Sequence, residues 1–420
     1  MTAPPTRLRL PACLALALAL RLGFALFYWV DQPLTHDERE YLALGRSVAR
    51  GDGFHYPADE PRPGTAQQFG RAPGYPLFLA ALGLREPADH APRRLQIAQA
   101  LAGTLIVWLI ASIASRAAGP RAGTAAAAIA AVYPPLVWTP AYVLSETLFS
   151  VLALAAARAL QERGSRGEGR GSETILPILE PRTALAGVLT GAAILTRPGL
   201  IFFLPFAAVW LWRSRRAAHG AIFVLVAALC VAPWTIRNHR VYGRWIAVAS
   251  EGGVTFWTGN HPLAVGEGDL AANPAIKRAE LEFRGAHPGL TAEELEPLYY
   301  RDAFAWIRAN PGAWLWLMAR KAFYTVVPAG PSYAVHSAKY VVASVAAYLA
   351  VLAAAIAGAW RWRKSQRRTG PVALWLMAAS TVAAGLIFFP QERFRIPVID
   401  PALIVTAALL AGLRTRERTE

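Results

Sequence analysis

The stretch LRLPACLALALALRLGFALFYWV, residues 8–30, decides the fold class of this chain. About 20 consecutive apolar residues form an α-helix long enough to cross the hydrocarbon core of a bilayer, and here only Arg21 interrupts the interior of the run. A cleaved signal peptide is the alternative, but the run continues through the aromatic residues 27–29 and lacks a small-x-small cleavage site. We therefore predict an uncleaved first transmembrane helix.

Apolar runs of this kind recur along all 420 residues, of which 55% are hydrophobic. We predict an all-α integral membrane protein, a bundle of about ten transmembrane helices with two large outer loops. The predicted spans are 8–30, 94–115, 122–138, 143–160, 183–196, 199–213, 219–236, 339–360, 371–389 and 396–413. The pair divided by Thr196-Arg197-Pro198-Gly199 is short for full spans, so we predict a helical hairpin whose tip stops below the outer surface.

The net charge of +16 is distributed in a way that argues against nucleic-acid binding. Arginine and lysine gather at the ends of apolar runs, within residues 7–9, 116–121, 213–216, 361–368 and 414–418. This distribution is the positive-inside pattern of membrane proteins. With ten spans, every cluster falls in the cytosol, as do both termini and the Gly/Ser/Arg-rich linker 161–182, which we expect to be flexible.

The same topology predicts three parts of the chain. Residues 1–236 form a transmembrane module that includes a first outer loop, 31–93. Residues 237–338 form a large outer, periplasmic loop, and residues 339–420 form the last helices with a short cytosolic tail. Each loop contains a predicted juxtamembrane helix: 73–84 is apolar but too short to span, and 299–328 mixes tryptophan with basic residues.

Proline clusters lie at the predicted outer ends of several helices. Examples are Tyr133-Pro134-Pro135 and Pro233-Trp234. Proline lacks a backbone N–H and clashes with the preceding turn, so we predict that each cluster breaks the helix and shapes a turn.

Carboxylates at the predicted outer rim are the first candidates for chemistry. Asp37 and Glu38 are adjacent and could act as a general base or as cation ligands. Glu146, Glu392 and Asp400 fall at the outer ends of spans, where ionisable groups are costly and often functional. The alternatives are a solvated acidic helix start for the first pair, and structural ion pairs with neighbouring arginines for Glu392 and Asp400.

Five arginines also fall at this rim, against the positive-inside trend. They are Arg71, Arg197, Arg237, Arg393 and Arg395. Arginine suits bidentate contacts with phosphate, so a bound anion would explain their position. Snorkelling at the interface is the alternative, and it explains one or two such residues better than five.

Other classes of site lack support in the sequence. There is no Walker loop, no GxGxxG after a strand, no HExxH and no nucleophile elbow, so nucleotide-driven chemistry in the cytosol is not indicated. The two cysteines, Cys13 and Cys230, both lie in apolar runs, which argues against a disulfide framework or a cysteine metal site.

The order of these features resembles the polyprenyl-phosphate-sugar-dependent membrane glycosyltransferases of the C-type (GT-C) fold. That group includes the glycosyltransferase family 39, or protein O-mannosyltransferase, proteins and the bacterial lipid A aminoarabinose and galacturonic acid transferases. Seven pieces carry the resemblance: Asp37-Glu38 with Tyr41 and the turn at 51–54; Arg71-Ala72-Pro73-Gly74-Tyr75-Pro76-Leu77; Tyr133-Pro134 with Ser145-Glu146; Leu195-Thr196-Arg197-Pro198; Pro233-Trp234 with Arg237-Asn238; Gly259-Asn260; and Arg393-Phe394-Arg395 with Pro397.

The resemblance implies an enzyme that moves a sugar, a hexose or a pentose, from a polyprenyl-phosphate donor to an acceptor. The carboxylate of the first outer loop, Asp37 with Glu38 beside it, would be the base on the acceptor hydroxyl. The donor phosphate would be bound by Arg197, Arg237, Arg393 and Arg395. Further site candidates are Tyr41, Arg71, Tyr75, Glu146, Asn260 and Glu392. Single-step displacement would invert the anomeric centre, and the site would face the periplasm of a bacterial inner membrane.

Several alternatives stay open at this point. A polysaccharide polymerase or ligase would use a diphosphate-linked carrier, and a transporter for a lipid-linked glycan would share the rim arginines. The acceptor could be a lipid, a polysaccharide or a protein. Related transferases differ in their need for a divalent cation, Mg or Mn, and Asp37 with Glu38 would be the ligands.

Overall fold

The computed structural model describes residues 9–56, 70–161, 181–214, 217–268, 272–328, 330, 337–365 and 370–413. All regular secondary structure in these ranges is helical, so the predicted all-α fold class is confirmed. Most of the predicted flexible linker, Arg7 and the C-terminal basic cluster lie outside the described residues.

Within the described ranges, eighteen α-helices follow one another. They are α1 (Arg9–Gly23), α2 (His36–Arg50), α3 (Gly74–Ala81), α4 (Arg93–Ala118), α5 (Pro120–Val132), α6 (Pro134–Trp138), α7 (Glu146–Leu160), α8 (Pro181–Thr196), α9 (Phe203–Arg213), α10 (Ala217–Tyr242), α11 (Gly252–Gly259), α12 (Pro274–Gly285), α13 (Ala292–Ala309), α14 (Pro311–Val326), α15 (Ala338–Lys364), α16 (Val372–Ile387), α17 (Glu392–Arg395) and α18 (Ile399–Leu413). A π-helical turn, Phe24–Tyr28, extends α1, and a 3₁₀ turn, Pro198–Phe202, joins α8 to α9.

Every one of the ten predicted spans coincides with a helical segment, but their lengths differ. Within the described residues, four helices are long and apolar enough to cross a bilayer alone: Arg9–Tyr28, Arg93–Ala118, Ala218–Tyr242 and Ala338–Lys364. A bent pair, α5 with α6 and the turn after it, makes a fifth. Shorter apolar helices cover Pro198–Arg213, Val372–Ile387 and Ile399–Gly412. The chain is therefore a multi-pass membrane protein in which ten is an approximate count of spans.

The two proline clusters behave differently in the structure. Between α5 and α6 the axis bends by 70°, because Tyr133 is extended immediately before Pro134. Pro233, by contrast, lies inside α10, which continues to Tyr242. The predicted break at Pro233 is therefore wrong; proline is tolerated in transmembrane helices, where neighbouring groups satisfy the freed carbonyl.

Small residues allow the central helices to approach closely. Ala126, Ala127 and Ala130 of α5 are fully buried. In α8, a Cβ at Gly191 would lie 2.9 Å from the carbonyl oxygen of Ala227 in α10. Close approach over small residues is the usual packing of membrane helices, where dispersion replaces the hydrophobic effect.

Arg21, the charged residue in the first span, binds the end of α5. Its guanidinium donates to the carbonyl oxygens of Ala130 and Ala131 at 3.2 and 3.3 Å, and to that of Ala17 at 2.9 Å. The last carbonyls of a helix have no intrahelical partner and carry partial negative charge. The bend after α5 thus creates the site that this buried cation satisfies.

Helices α2, α3 and α11–α14 cover one end of the bundle, which we call the loop end. The predicted helix within 73–84 is α3, but it does not lie exposed: Tyr75 and Leu79 are fully buried in a small core with Leu95 and Val143. The predicted helix within 299–328 is two helices, the second half of α13 and α14, which meet at Asn310.

Candidate functional site

A cluster of charged side chains lies at the loop end, where α2, α17 and residues 70–71 and 251 meet. Arg71 Nη2 contacts Asp37 Oδ1 at 2.9 Å, and Arg393 Nη1 contacts Asp37 Oδ2 at 2.8 Å. Arg71 also pairs with Glu40 and, at 2.9 Å, with Glu251. The structure thus brings together side chains 356 residues apart in sequence, and Asp37 is held between two arginines.

Backbone contacts explain how Arg71 and Glu251 meet. The Gly70 N–H donates to Ser250 Oγ at 2.7 Å, and the Ser250 N–H donates to the Gly70 carbonyl oxygen at 3.0 Å. This pairing joins the two segments that are predicted from the sequence as outer loops, 31–93 and 237–338. The Arg71 guanidinium also lies 5.4 Å from the centre of the Tyr41 ring, which packs edge-on against Tyr75.

The electrostatics of the cluster favour an ionised Asp37. Burial alone would raise the pKa of this carboxyl, but Arg71 and Arg393 outweigh burial and hold its pKa well below the usual range. At Glu251, burial dominates and raises the pKa despite Arg71. A carboxylate bound by two guanidinium groups is a weak base until one of them moves away.

Glu38 does not join this cluster. Its Oε2 accepts hydrogen bonds from the Thr35 N–H and hydroxyl, and its Oε1 accepts one from the Val143 N–H, each at 2.8 Å. The pattern Thr35-x-x-Glu38 is a capping box, which the sequence itself signals. Glu38 is 3% exposed, and its hydrogen bonds connect the start of α2 with Val143, in the segment before α7. The contacts therefore do not favour its predicted pairing with Asp37.

The tip of the α8–α9 hairpin places Arg197 beside the cluster. Arg197 Nη1 lies 2.7 Å from Glu146 Oε1 and 3.3 Å from Ser145 Oγ. Its guanidinium also lies 4.9 Å from the centre of the Phe394 ring, next in sequence to Arg393. Two predicted site residues are thus paired with each other, and Glu146 is 2% exposed.

Arg395 and Glu392 belong to a second, separate group of ion pairs. Arg395 Nε lies 3.1 Å from Asp400 Oδ1, and its Nη2 lies 3.6 Å from Glu392. Tyr133 donates to Asp400, and Ser344 donates to Glu392. This buried arrangement favours the structural alternative over phosphate binding for Arg395.

Neither Arg237 nor Asn260 forms a hydrogen bond or ion pair with Asp37 in the part of the chain that the structure describes. Arg237 donates to the Phe54 carbonyl oxygen at 3.2 Å, and its guanidinium lies 4.8 Å from the Trp234 ring centre. Among the described residues no carboxylate forms an ion pair with it. Asn260 binds the end of α16 through the Ile387 carbonyl oxygen.

Sequence reasoning missed two members of the cluster, Glu40 and Glu251. Glu40 follows Asp37 by three residues on one helix, a spacing that puts both carboxylates on one face. That signal could have identified it. Glu251 stands alone in a long loop, and nothing in its sequence neighbourhood predicts its contact with Arg71.

A cavity of about 440 Å³ is lined by residues 244–249 and by Gly252, the residue that follows Glu251. Its polar lining includes Glu293, Glu296 and Tyr300. Burial raises the pKa of Glu296 to about 7. The cavity is large enough for a sugar-sized group and carries hydrogen-bonding side chains.

Similar solved structures come from membrane glycosyltransferases. No protein-family model matches the chain, and no curated protein sequence matches it. An archaeal oligosaccharyltransferase, AglB from Archaeoglobus fulgidus, in complex with an inhibitory peptide and a dolichol-phosphate, matches with 13% identity and a TM-score of 0.54, over 96% of this chain and 50% of that one. The Archaeoglobus fulgidus oligosaccharyltransferase in complex with Zn and sulfate matches with 14% identity and a TM-score of 0.50, over 96% and 48%. ArnT from Cupriavidus metallidurans, bound to undecaprenyl phosphate, has 16% identity and a TM-score of 0.41, over 97% and 77%.

The likeness to the oligosaccharyltransferase structures establishes the fold. The chain has the GT-C glycosyltransferase fold, and the resemblance seen in the sequence is confirmed at that level. The chain spans about half the length of the oligosaccharyltransferases that it matches.

Proposed function

We propose that this protein is a membrane glycosyltransferase that moves a sugar from a polyprenyl-phosphate donor to an envelope acceptor. The observation that carries the proposal is the position of Asp37 between Arg71 and Arg393 at the loop end of a GT-C fold. A carboxylate beside two cations supplies a base for the acceptor and countercharges for a phosphate leaving group.

The arginines of the cluster favour a donor that carries a phosphate group. Arg71 and Arg393 offer guanidinium groups suited to phosphate oxygens, and Arg197 lies one side chain away from Arg393. The dolichol-phosphate bound to the archaeal oligosaccharyltransferase supports a lipid-linked phosphate as ligand. The polyprenyl tail would remain among the apolar helices.

In the proposed reaction, Asp37 takes the proton of an acceptor hydroxyl. At the same time the oxygen of that hydroxyl attacks the anomeric carbon of the donor sugar. The bond from that carbon to the phosphate oxygen breaks, and its electron pair leaves with the phosphate. Arg71 and Arg393 stabilise the charge that develops there. Because the phosphate competes with Asp37 for these arginines, donor binding would loosen the ion pairs and raise the basicity of Asp37. One displacement inverts the anomeric centre.

The same proposal assigns the surroundings. The positions of the basic clusters in the sequence support a loop end that faces away from the cytosol, toward the periplasm of a bacterial inner membrane. The cavity beside Glu251 is our candidate for the acceptor.

A divalent cation, Mg or Mn, remains a prediction. The described residues contain no group of three or more potential ligands suited to a metal ion. Asp37, Glu40 and Glu251 each contact Arg71, so in this arrangement their carboxylates do not fit a divalent cation.

The test is a transfer assay on the purified full chain. Polyprenyl-monophosphate and polyprenyl-diphosphate sugars are offered with an envelope lipid extract, and products of wild type, Asp37→Asn and the control Asp89→Asn are measured by mass spectrometry. Asp89 is an exposed carboxylate of the same loop. Transfer from monophosphate donors that is lost only in Asp37→Asn is the expected result. Transfer from diphosphate donors alone would favour the polymerase or ligase. No transfer, or equal transfer in all three proteins, would contradict the proposed role of Asp37.

A further inference from the structure

The short segment between α16 and Arg393 is held by the second outer loop. α16 ends at Ile387, and Arg393 follows six residues later. Nothing in this connection is regular secondary structure before Glu392. The position of Arg393 against Asp37 therefore depends on what fixes residues 386–391.

Lys321 of α14 contacts the last carbonyls of α16. Its Nζ donates to the carbonyl oxygens of Leu386 at 3.1 Å and Ile387 at 3.5 Å, and to Asn260 Oδ1 at 3.1 Å. The residue is 0% exposed, and among the described residues no carboxylate forms an ion pair with it. An unpaired buried ammonium is costly, and here the partial charge at a helix C-terminus is its compensation. Burial lowers the pKa of Lys321 to about 7.

Asn260, the residue that follows α11, completes the same contact. Its Nδ2 donates to the carbonyl oxygens of Ile387 and Phe256, each at 2.9 Å, and its Oδ1 accepts from Trp314 Nε1 at 3.1 Å. One side chain thus joins α11, α14 and the end of α16.

Two glycines of the second outer loop allow its backbone to pack closely against Phe388 and Phe389, the residues that follow α16. A Cβ at Gly259 would collide with the Phe388 carbonyl, and a Cβ at Gly268 would fall inside the Phe389 ring. The Gly268 N–H also donates to the Pro390 carbonyl oxygen at 3.2 Å. Residues 386–390 are therefore each in contact with, or next to a residue in contact with, groups of the second outer loop.

We infer that Lys321 and Asn260 are positioning residues for Arg393: they fix the end of α16 so that Arg393 reaches Asp37. Arg393 Nε also donates to Gln391 Oε1 at 2.9 Å. Because Gln391 directly follows the fixed residues 386–390, this hydrogen bond restrains the Arg393 guanidinium as well. The inference rests on the proposed function for its effect on catalysis, but its structural part does not. The Gly259-Asn260 motif thus acts on the site indirectly, by helping to position Arg393, although neither residue contacts Asp37.

The first arm of the test needs no activity. Hydrogen–deuterium exchange of the full chain in nanodiscs reports the amides of residues 386–395 in wild type, Lys321→Met, Lys321→Gln and the control Lys277→Met. Lys277 lies in the same loop and pairs with Glu280. We expect at least tenfold faster exchange in Lys321→Met, a smaller change in Lys321→Gln, which keeps a donor, and none in Lys277→Met. Unchanged exchange in Lys321→Met would overturn the inference.

The second arm measures kcat for the same variants and for Lys321→Met combined with Arg393→Met. We expect Lys321→Met to lower kcat at least tenfold, Lys321→Gln to retain most activity, and Lys321→Met to add nothing in the Arg393→Met background. Equal losses in both backgrounds would show a general destabilisation and overturn the positioning role. If wild type transfers no sugar, the proposed function fails while the exchange arm still decides whether Lys321 fixes this segment.

Discussion

Replacing the adjacent carboxylates of α2 one at a time should separate chemistry from folding. Glu38 accepts three hydrogen bonds of 2.8 Å while 3% exposed. In Glu38→Gln an amide NH₂ replaces one acceptor oxygen, so it faces either the Val143 N–H or the donors of Thr35. One buried donor then loses its partner, which costs about 1–3 kcal/mol. We expect a lower melting temperature and near-normal activity per folded molecule.

Asp37→Asn should behave in the opposite way. The Asp37 side chain is 25% exposed, so solvent reduces the contribution of its ion pairs to stability. Removing a general base typically costs 10²- to 10⁴-fold in rate, and we expect a loss of about that size with little change in melting temperature.

The assay is paired for each variant: thermal unfolding in detergent followed by tryptophan fluorescence, and initial transfer rate normalised to folded protein. Normal stability with more than a tenfold rate loss in Glu38→Gln would refute the capping assignment. An unaltered rate in Asp37→Asn would refute the base assignment, and the two results are independent.

Three further predictions test other ionisable side chains. Arg21→Met should lower the melting temperature, because the carbonyls at the end of α5 lose their donor (about 1–3 kcal/mol), while activity per folded molecule persists. Glu296 has its pKa raised to about 7 from an ordinary 4.5, so the folded state holds an extra proton between these values. Wild type should therefore lose stability as the pH rises from 5 to 8, by about 1–3 kcal/mol, and Glu296→Gln should flatten that dependence in melting curves. Arg197→Met should destabilise by about 3–5 kcal/mol, because Glu146 is left charged and buried. Adding Glu146→Gln should restore at least half of the lost stability, and a further loss would contradict the pairing.

The sequence was sufficient for the fold because apolar length and charge placement depend on single segments. The ten helical segments follow from runs that a bilayer requires, and the hairpin break at Arg197 follows from Pro198. The path inside a segment was harder to predict. Pro134 bends its helix and Pro233 does not, and the difference depends on packing partners far away in sequence.

Within the site, the sequence identified the charged residues but not their partners. Arg393 and Arg395 looked equivalent, yet residues two apart on a helix point about 200° apart, so only one can face Asp37. The other turns to Asp400. Helical spacing could have predicted that division, whereas the contact between Arg71 and Glu251 comes from the packing of two loops and has no local signal.

The contact between Arg21 and the end of α5 has a consequence for biosynthesis. Its acceptor at Ala131 lies 110 residues later in the chain, which a ribosome adds in roughly 5–20 s. Throughout that interval the first helix lies in the lipid with an arginine that lacks both of its partners on α5, and insertion scales put the cost of such a residue at about 2.5–3.5 kcal/mol. The other residues of Arg9–Tyr28 compensate for this cost, since nearly all of them are apolar. The inserted α1 is therefore less stable in the membrane until α5 is synthesised and its last carbonyl groups accept the Arg21 hydrogen bonds. Assembly of the bundle thus depends on the order in which its helices are translated.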